Sequence, residues 1–140
     1  MEILALVLWA ITEVRPTPSQ SPGTIDLERV DLEQAFELLM SGRATFLDAR
    51  TREEYAKGHI AGAVCLPSEE ALDGKVEALS MIAKDRTIVP YCDGGDCEAS
   101  IELAQLLKES GYSNVLVFEA GWQKWKDALY PTEFPPAVEE

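Results

Sequence analysis

The feature that most restricts the fold is an alternation, running from residue 31 to residue 118, of helix-patterned segments with short apolar runs. Asp31 and Gln34 form a capping box ahead of Leu32, Ala35, Phe36, Leu38 and Leu39 at helical spacing, and Gly42 ends that segment. Residues 45–48 then read as a strand. Thr51 and Glu54 make a second capping box, for a short helix ending at Gly58, and residues 63–66 read as a buried strand stopped by Pro67. A helix through Val76, Leu79, Met81 and Ile82 leads to a strand over 87–91. Another through Ile101, Leu103, Ala104, Leu106 and Leu107 leads to a strand over 115–118. Short apolar strands that alternate with helices predict an α/β domain whose parallel sheet is covered on both faces.

The 140 residues, 46% apolar and 26% charged, suit one core. Residues 3–11 form a continuous apolar run, about half of what a membrane span requires. No Lys or Arg precedes that run and no Ala-x-Ala follows it, so it reads as an added strand or short helix rather than a secretion signal or membrane anchor. Residues 16–23, rich in proline and turn formers, read as a linker. The organisation expected is therefore an apolar segment and linker over 1–24, a domain over 25–131 and an acidic, proline-containing tail over 132–140.

Acids outnumber bases 25 to 12, for a net charge of −13, which repels phosphate backbones and argues against a nucleic-acid partner. Three cysteines, at 65, 92 and 97, are too few for a disulfide framework and allow one bridge at most. His59 is the lone histidine, and Cys-x4-Cys lacks the paired spacing of a structural zinc site, so neither a metal nor another cofactor is expected. This usage favours a cytoplasmic chain over a membrane-associated or periplasmic one.

In open α/β sheets, sites lie beyond the carboxyl ends of the strands. There Cys92 follows the strand ending at Tyr91, then come Asp93, Gly94, Gly95, Asp96, Cys97 and Glu98 ahead of a helix. The glycines allow successive amides of residues 93–98 to point inward, and the helix dipole adds about half a positive charge, so a thiolate or persulfide on Cys92 finds a cradle without a cationic side chain. A small, inert buried cysteine fits the same position.

Asp48-Ala49-Arg50, followed by Glu54-Tyr55 and Gly58-His59-Ile60 with Gly62-Ala63, taken with Cys92 and with the run from Gly111 to Trp125, resembles the rhodanese family, the first of these segments being similar to that family's first signature. Cys92 sits where the family places its catalytic cysteine, and Gly111-Tyr112, Asn114-Val115, Gly121-Trp122 and Trp125 resemble its closing pattern. The resemblance implies a five-stranded parallel sheet and sulfane-sulfur transfer through a cysteine persulfide. It casts Asp48 and Arg50 as holders of the turn beside the loop, and His59 as a fold residue rather than a base for Cys92. Cys65 reads as core, and Trp122 and Trp125 as packing. The implied partners are a small sulfur donor and a thiol acceptor, which a protein could supply.

The chain also departs from the pattern. No basic residue lies between Arg86 and Lys108, where such loops often bind an anionic donor, and Asp93, Asp96 and Glu98 stand there instead. Thiosulfate is therefore expected to be disfavoured. Pro90 lacks the amide that a central strand donates. Cys97 is placed either to resolve a loaded Cys92 or to serve the loop's shape. Three functions remain open on these residues: a sulfurtransferase or persulfide carrier, a non-catalytic partner-binding or redox-sensing module, and a thiol oxidoreductase using Cys92 and Cys97.

Overall fold

The structure, a computed structural model, describes residues 26–95 and 97–134. The expectations for residues 1–24, for Asp96 and for 135–140 lie outside the described residues. In chain order the strands are β1 (Glu28–Arg29), β2 (Ala44–Asp48), β3 (His59–Ile60), β4 (Val64–Cys65), β5 (Thr87–Tyr91), β6 (Leu116–Val117) and β7 (Thr132–Glu133). The helices are α1 (Leu32–Ser41), α2 (Arg52–Ala56), α3 (Ser68–Leu72), α4 (Ala99–Glu109) and α5 (Gly121–Asp127), with a 3-10 turn over Glu77–Met81.

The parallel strands line up as β1-β6-β5-β2-β4, and the α/β class expected from the alternation is borne out. β2 pairs with β5 along its whole length, from Ala44 opposite Thr87 to Asp48 opposite Tyr91. Between β5 and β6 the contact is two bridges, Ile88 with Val115 and Tyr91 with Phe118. Ile88 N–H reaches Asn114 O toward β6, and two residues on Pro90 accepts from Phe118 N–H on that same side but has no hydrogen to return. The proline thus interrupts the ladder between the bridges. β3 and β7 form a separate antiparallel pair, with His59 opposite Glu133 and Ile60 opposite Thr132.

Successive strand residues alternate faces. Leu47, Ile88, Cys92, Val115 and Val117 pack with Leu103, Ala104 and Leu107 of α4 on one side. Phe46, Val89, Tyr91 and Phe118 pack with Ala35 of α1 and Trp122 and Trp125 of α5 on the other. Tyr91 and Cys92, adjacent in sequence, therefore serve opposite layers. Both capping boxes form as read, and Gly42 closes α1 in a left-handed conformation.

The segment around residues 76–82 corrects the expectation of a core helix. Only a 3-10 turn forms, Leu79 alone within it is buried, and Met81 is exposed. Gly74, in a left-handed conformation, follows the short α3, and between it and β5 the chain forms only this 3-10 turn. No helix among the described residues is long and apolar enough to cross a membrane.

Candidate active site

The register brings Asp48, Cys65 and Tyr91 level at the carboxyl edge of the sheet, with Cys92 one step beyond. Asp48 is wholly buried and organises this edge. Arg50 donates to it through Nε (2.9 Å to Oδ1) and Nη2 (2.7 Å to Oδ2), while Tyr91 O–H donates to Oδ2 at 2.8 Å. Arg50 Nη2 also reaches the carbonyl of Gly58 at 2.8 Å, and Tyr91 accepts the amide of Ile60 at 3.1 Å, which ties the β3 segment to the same knot. Burial works against the Arg50 charge, but the bond and charge of Asp48 outweigh it and the guanidinium is held above its ordinary pKa. Burial first, and then Asp48, push the Tyr91 phenol far upward, so it remains a donor at any working pH.

The loop after β5 is fastened from below by α5. Trp122 N–H donates to Cys92 O at 2.8 Å and Gln123 N–H to Asp93 O at 3.1 Å. This approach is close enough to need glycine on both sides. A Cβ on Gly121, whose φ is +70°, would lie 2.6 Å from Cys92 O, and one on Gly94, at φ +116°, would lie 2.5 Å from Ala120 O. Arg50 reaches over the Trp122 ring, 5.0 Å from its centroid, and its Nη1 lies 3.7 Å from Asp93 Oδ1.

Within this loop Cys92 and Cys97 are joined as a disulfide, with their α-carbons 6.5 Å apart. The two glycines let the chain double back, and Cys97 N–H donates to Gly94 O at 3.2 Å. That amide is spent inside the loop, which corrects the expectation that all the amides from 93 to 98 face a sulfur. Cys92 is buried in the layer beneath α4, whereas Cys97 is half-buried and lines a cleft of 610 Å³. Among the described residues the cleft walls carry Glu54, Glu69, Asp93 and Glu102 against the single cation Arg50, which Asp48 already engages. Glu98 is exposed and is not among the cleft-lining residues, so among the described residues Asp93 is the loop's one carboxylate on the cleft wall and the others come from other segments.

His59 is stacked on Tyr55, with Nδ1 at 2.9 Å from Tyr55 O and Nε2 at 3.5 Å from Glu133 Oε1. Both ring nitrogens thus face partners outside the cysteine loop. Cys65 is a half-buried free thiol in β4 whose pKa is raised mainly by burial. Trp125 is fully buried and donates to Pro131 O, and Trp122 underlies the loop. Among the described residues no group of three His, Cys, Asp or Glu side chains is arranged to hold a metal. Sequence reasoning missed Tyr91 as the partner of Asp48, Gly121 as the close-approach point and the acidic cleft. The Gly-Trp pair that follows β6 was a usable signal for the second.

Fold and loop together define a parallel α/β domain that holds a buried cysteine just beyond a central strand, bonded to a second cysteine that lines a cleft. The chain belongs to the rhodanese-like domain family, whose model matches residues 31–128. It is 30% identical over 132 residues to the HTH-type transcriptional regulator Rv0324 of Mycobacterium tuberculosis, covering 94% of this chain and 53% of that one, so it spans about half that relative's length. It is 30% identical over 106 residues to the human thiosulfate:glutathione sulfurtransferase, covering 69% of this chain and 90% of that one. The crystal structure of the Alr3790 protein from Anabaena sp. superimposes with a TM-score of 0.64 at 33% identity, over 75% of this chain and 80% of that one.

Proposed function

We propose that the domain transfers sulfane sulfur through a persulfide on Cys92. The observation that carries this reading is the loop itself: a cysteine beyond a central strand, its backbone pinned by α5, opening with Cys97 onto a cleft. Membership of the rhodanese-like family and similarity to a named sulfurtransferase support it. In the reduced protein the Cys92 thiolate attacks the outer sulfur of a persulfide donor R–S–S⁻, forming Cys92–S–S⁻ and releasing R–S⁻. A thiol, small or on a protein, then takes the outer sulfur. Four carboxylates around the cleft disfavour dianionic thiosulfate as donor.

The bond to Cys97 favours a second outcome for the loaded state. Cys97 thiolate attacks Cys92 Sγ of the protonated persulfide Cys92–S–SH, the Cys92–Cys97 bond forms as the S–S bond to the outer sulfur breaks, and that sulfur leaves with its proton as HS⁻. Two electrons pass from the thiols to the sulfane sulfur, which becomes sulfide. The experiment is the intact mass of the reduced full chain after incubation with polysulfide. A gain of one sulfur is expected, absent in Cys92→Ser and longer-lived in Cys97→Ser. Loading that survives in Cys92→Ser defeats the assignment, and equal persulfide decay with and without Cys97 reduces that residue to a structural one.

A further inference from the structure

Sulfide release, as read above, leaves the chain locked as the Cys92–Cys97 disulfide, and the next turnover needs that bond opened. We infer that a neutral or cationic thiol opens it by attacking Cys97, with Cys92 as the leaving sulfur, and that Glu69 and Glu102 select the reductant by charge. This inference rests on the proposed function for its place in the cycle, but its chemistry is tested independently.

Thiol–disulfide exchange is an in-line displacement, in which the nucleophile approaches one sulfur along the S–S axis from the side opposite the other. Cys92 has only 2% of its surface exposed and packs among Leu47, Leu103 and Leu107 beneath α4. A nucleophile aimed at its sulfur would have to come through that layer. Cys97 lines the open cleft, so its sulfur is the one a thiolate meets. The step balances as R–S⁻ plus the protein disulfide giving Cys97–S–S–R and Cys92–S⁻. A second thiol of the same dithiol reductant then attacks the R sulfur, frees Cys97–S⁻ and closes the reductant's own disulfide. Two electrons move from the reductant to the loop, and the sulfur freed first is Cys92, the one that carries the load.

The approach to Cys97 passes Glu54, Glu69, Asp93 and Glu102. Asp93 is drawn toward Arg50, and Glu54 is committed to capping α2. Glu69 and Glu102 are exposed, with the buried Ser68 hydroxyl 3.4 Å from Glu102 Oε1. They set a negative field that an incoming thiolate crosses, weakened if its carrier is cationic and strengthened if it is anionic.

The test uses the oxidised full chain with cysteamine, mercaptoethanol or mercaptoethanesulfonate at matched thiolate concentration and low salt, quenched in acid and mapped by peptide mass. The expected adduct is on Cys97 with Cys92 free, and cysteamine should react about tenfold faster than mercaptoethanesulfonate, the gap closing at high salt and in Glu69→Gln/Glu102→Gln. Because a freed Cys92 could reclose the loop before quenching, Cys92→Ser provides a second measure. There the Cys97 thiol should form a mixed disulfide faster with cystamine than with the disulfide of mercaptoethanesulfonate. Adducts mapping to Cys92, or rates indifferent to charge in both experiments, overturn the inference. Failure of reduced protein to load sulfur, with the Cys97 adduct present, removes the transfer reading and leaves this chemistry standing. Normal loading with both thiols alkylatable after oxidation removes the inference alone.

Discussion

Gly121→Ala examines how the loop is held, and its magnitude follows from two separable costs. Gly121 has φ +70°, and a Cβ there would lie 2.6 Å from Cys92 O, 2.7 Å from Gly94 N and 2.8 Å from Asp93 C. The left-handed backbone costs alanine about 1 kcal/mol. The three atoms met are all backbone, so relief requires α5 and the loop to move apart, which lengthens the bonds from Trp122 N–H to Cys92 O and from Gln123 N–H to Asp93 O. Each of these contributes about 1 kcal/mol, for a total of about 3 kcal/mol. Gly62 is the control, since its φ is +78° and nothing lies within 4 Å of an added Cβ. Gly62→Ala should lose only the backbone cost, about 1 kcal/mol. At roughly 4 °C per kcal/mol for a domain of this size, the reduced proteins should melt about 12 °C and about 4 °C below the parent. Alkylation of Cys92 in the reduced chain should also quicken in Gly121→Ala and not in Gly62→Ala. Equal losses of stability in the two variants, or an unchanged Cys92 rate, would refute the reasoning that backbone contact with α5 docks the loop.

Three further outcomes are expected. Tyr91→Phe removes the donor to Asp48 and strands the buried amide of Ile60, and urea unfolding should show a loss of about 2 kcal/mol; a loss near zero would mean that water or relaxation replaces both bonds. Burial raises the Cys65 thiol above its ordinary value of 9.0, so in Cys92→Ser/Cys97→Ser its alkylation should have a midpoint above that pH. Because the folded state then holds the proton more tightly than the unfolded one, the contribution of Cys65 to stability is full below pH 9.0 and declines as pH rises through its folded pKa, and a midpoint at or below 9.0 contradicts this. Glu69→Lys/Glu102→Lys should raise the rate of sulfur loading from thiosulfate several-fold relative to polysulfide, and steady-state rates showing no gain count against electrostatic exclusion.

Much of the architecture was legible because it rests on local chemistry. Asp31 with Gln34 and Thr51 with Glu54 satisfy orphan amides within three residues, so both helix starts could be read from the chain alone. The apolar runs at 45–48 and 87–91 are strands because they are short, apolar and bounded by turn residues, and alternation with helices dictated their parallel arrangement. The position of Cys92 followed from the same pattern, since loops leaving the carboxyl ends of parallel strands are where such folds expose reactive groups. Around residues 76–82 the apolar spacing misled, because periodicity records which residues could share a face and not which of them the fold buries, and within the 3-10 turn only Leu79 is buried.

Other features come from groups distant in sequence that meet because the sheet register sets their ends level, which no local pattern in the chain encodes. Tyr91 completes the environment of Asp48 from 43 residues away, and Arg50 crosses from its own turn to the Trp122 ring and Asp93. The charge of the cleft arises in the same way. The sequence directed attention to the acids flanking Cys97, yet Glu54, Glu69 and Glu102 come from three helices that the fold gathers around that sulfur. Which cysteine faces solvent was likewise undetermined by spacing. Strand alternation turns Cys92 into the layer beneath α4, while two glycines swing Cys97 to the cleft, and that difference in burial sets the order in which the two sulfurs can react.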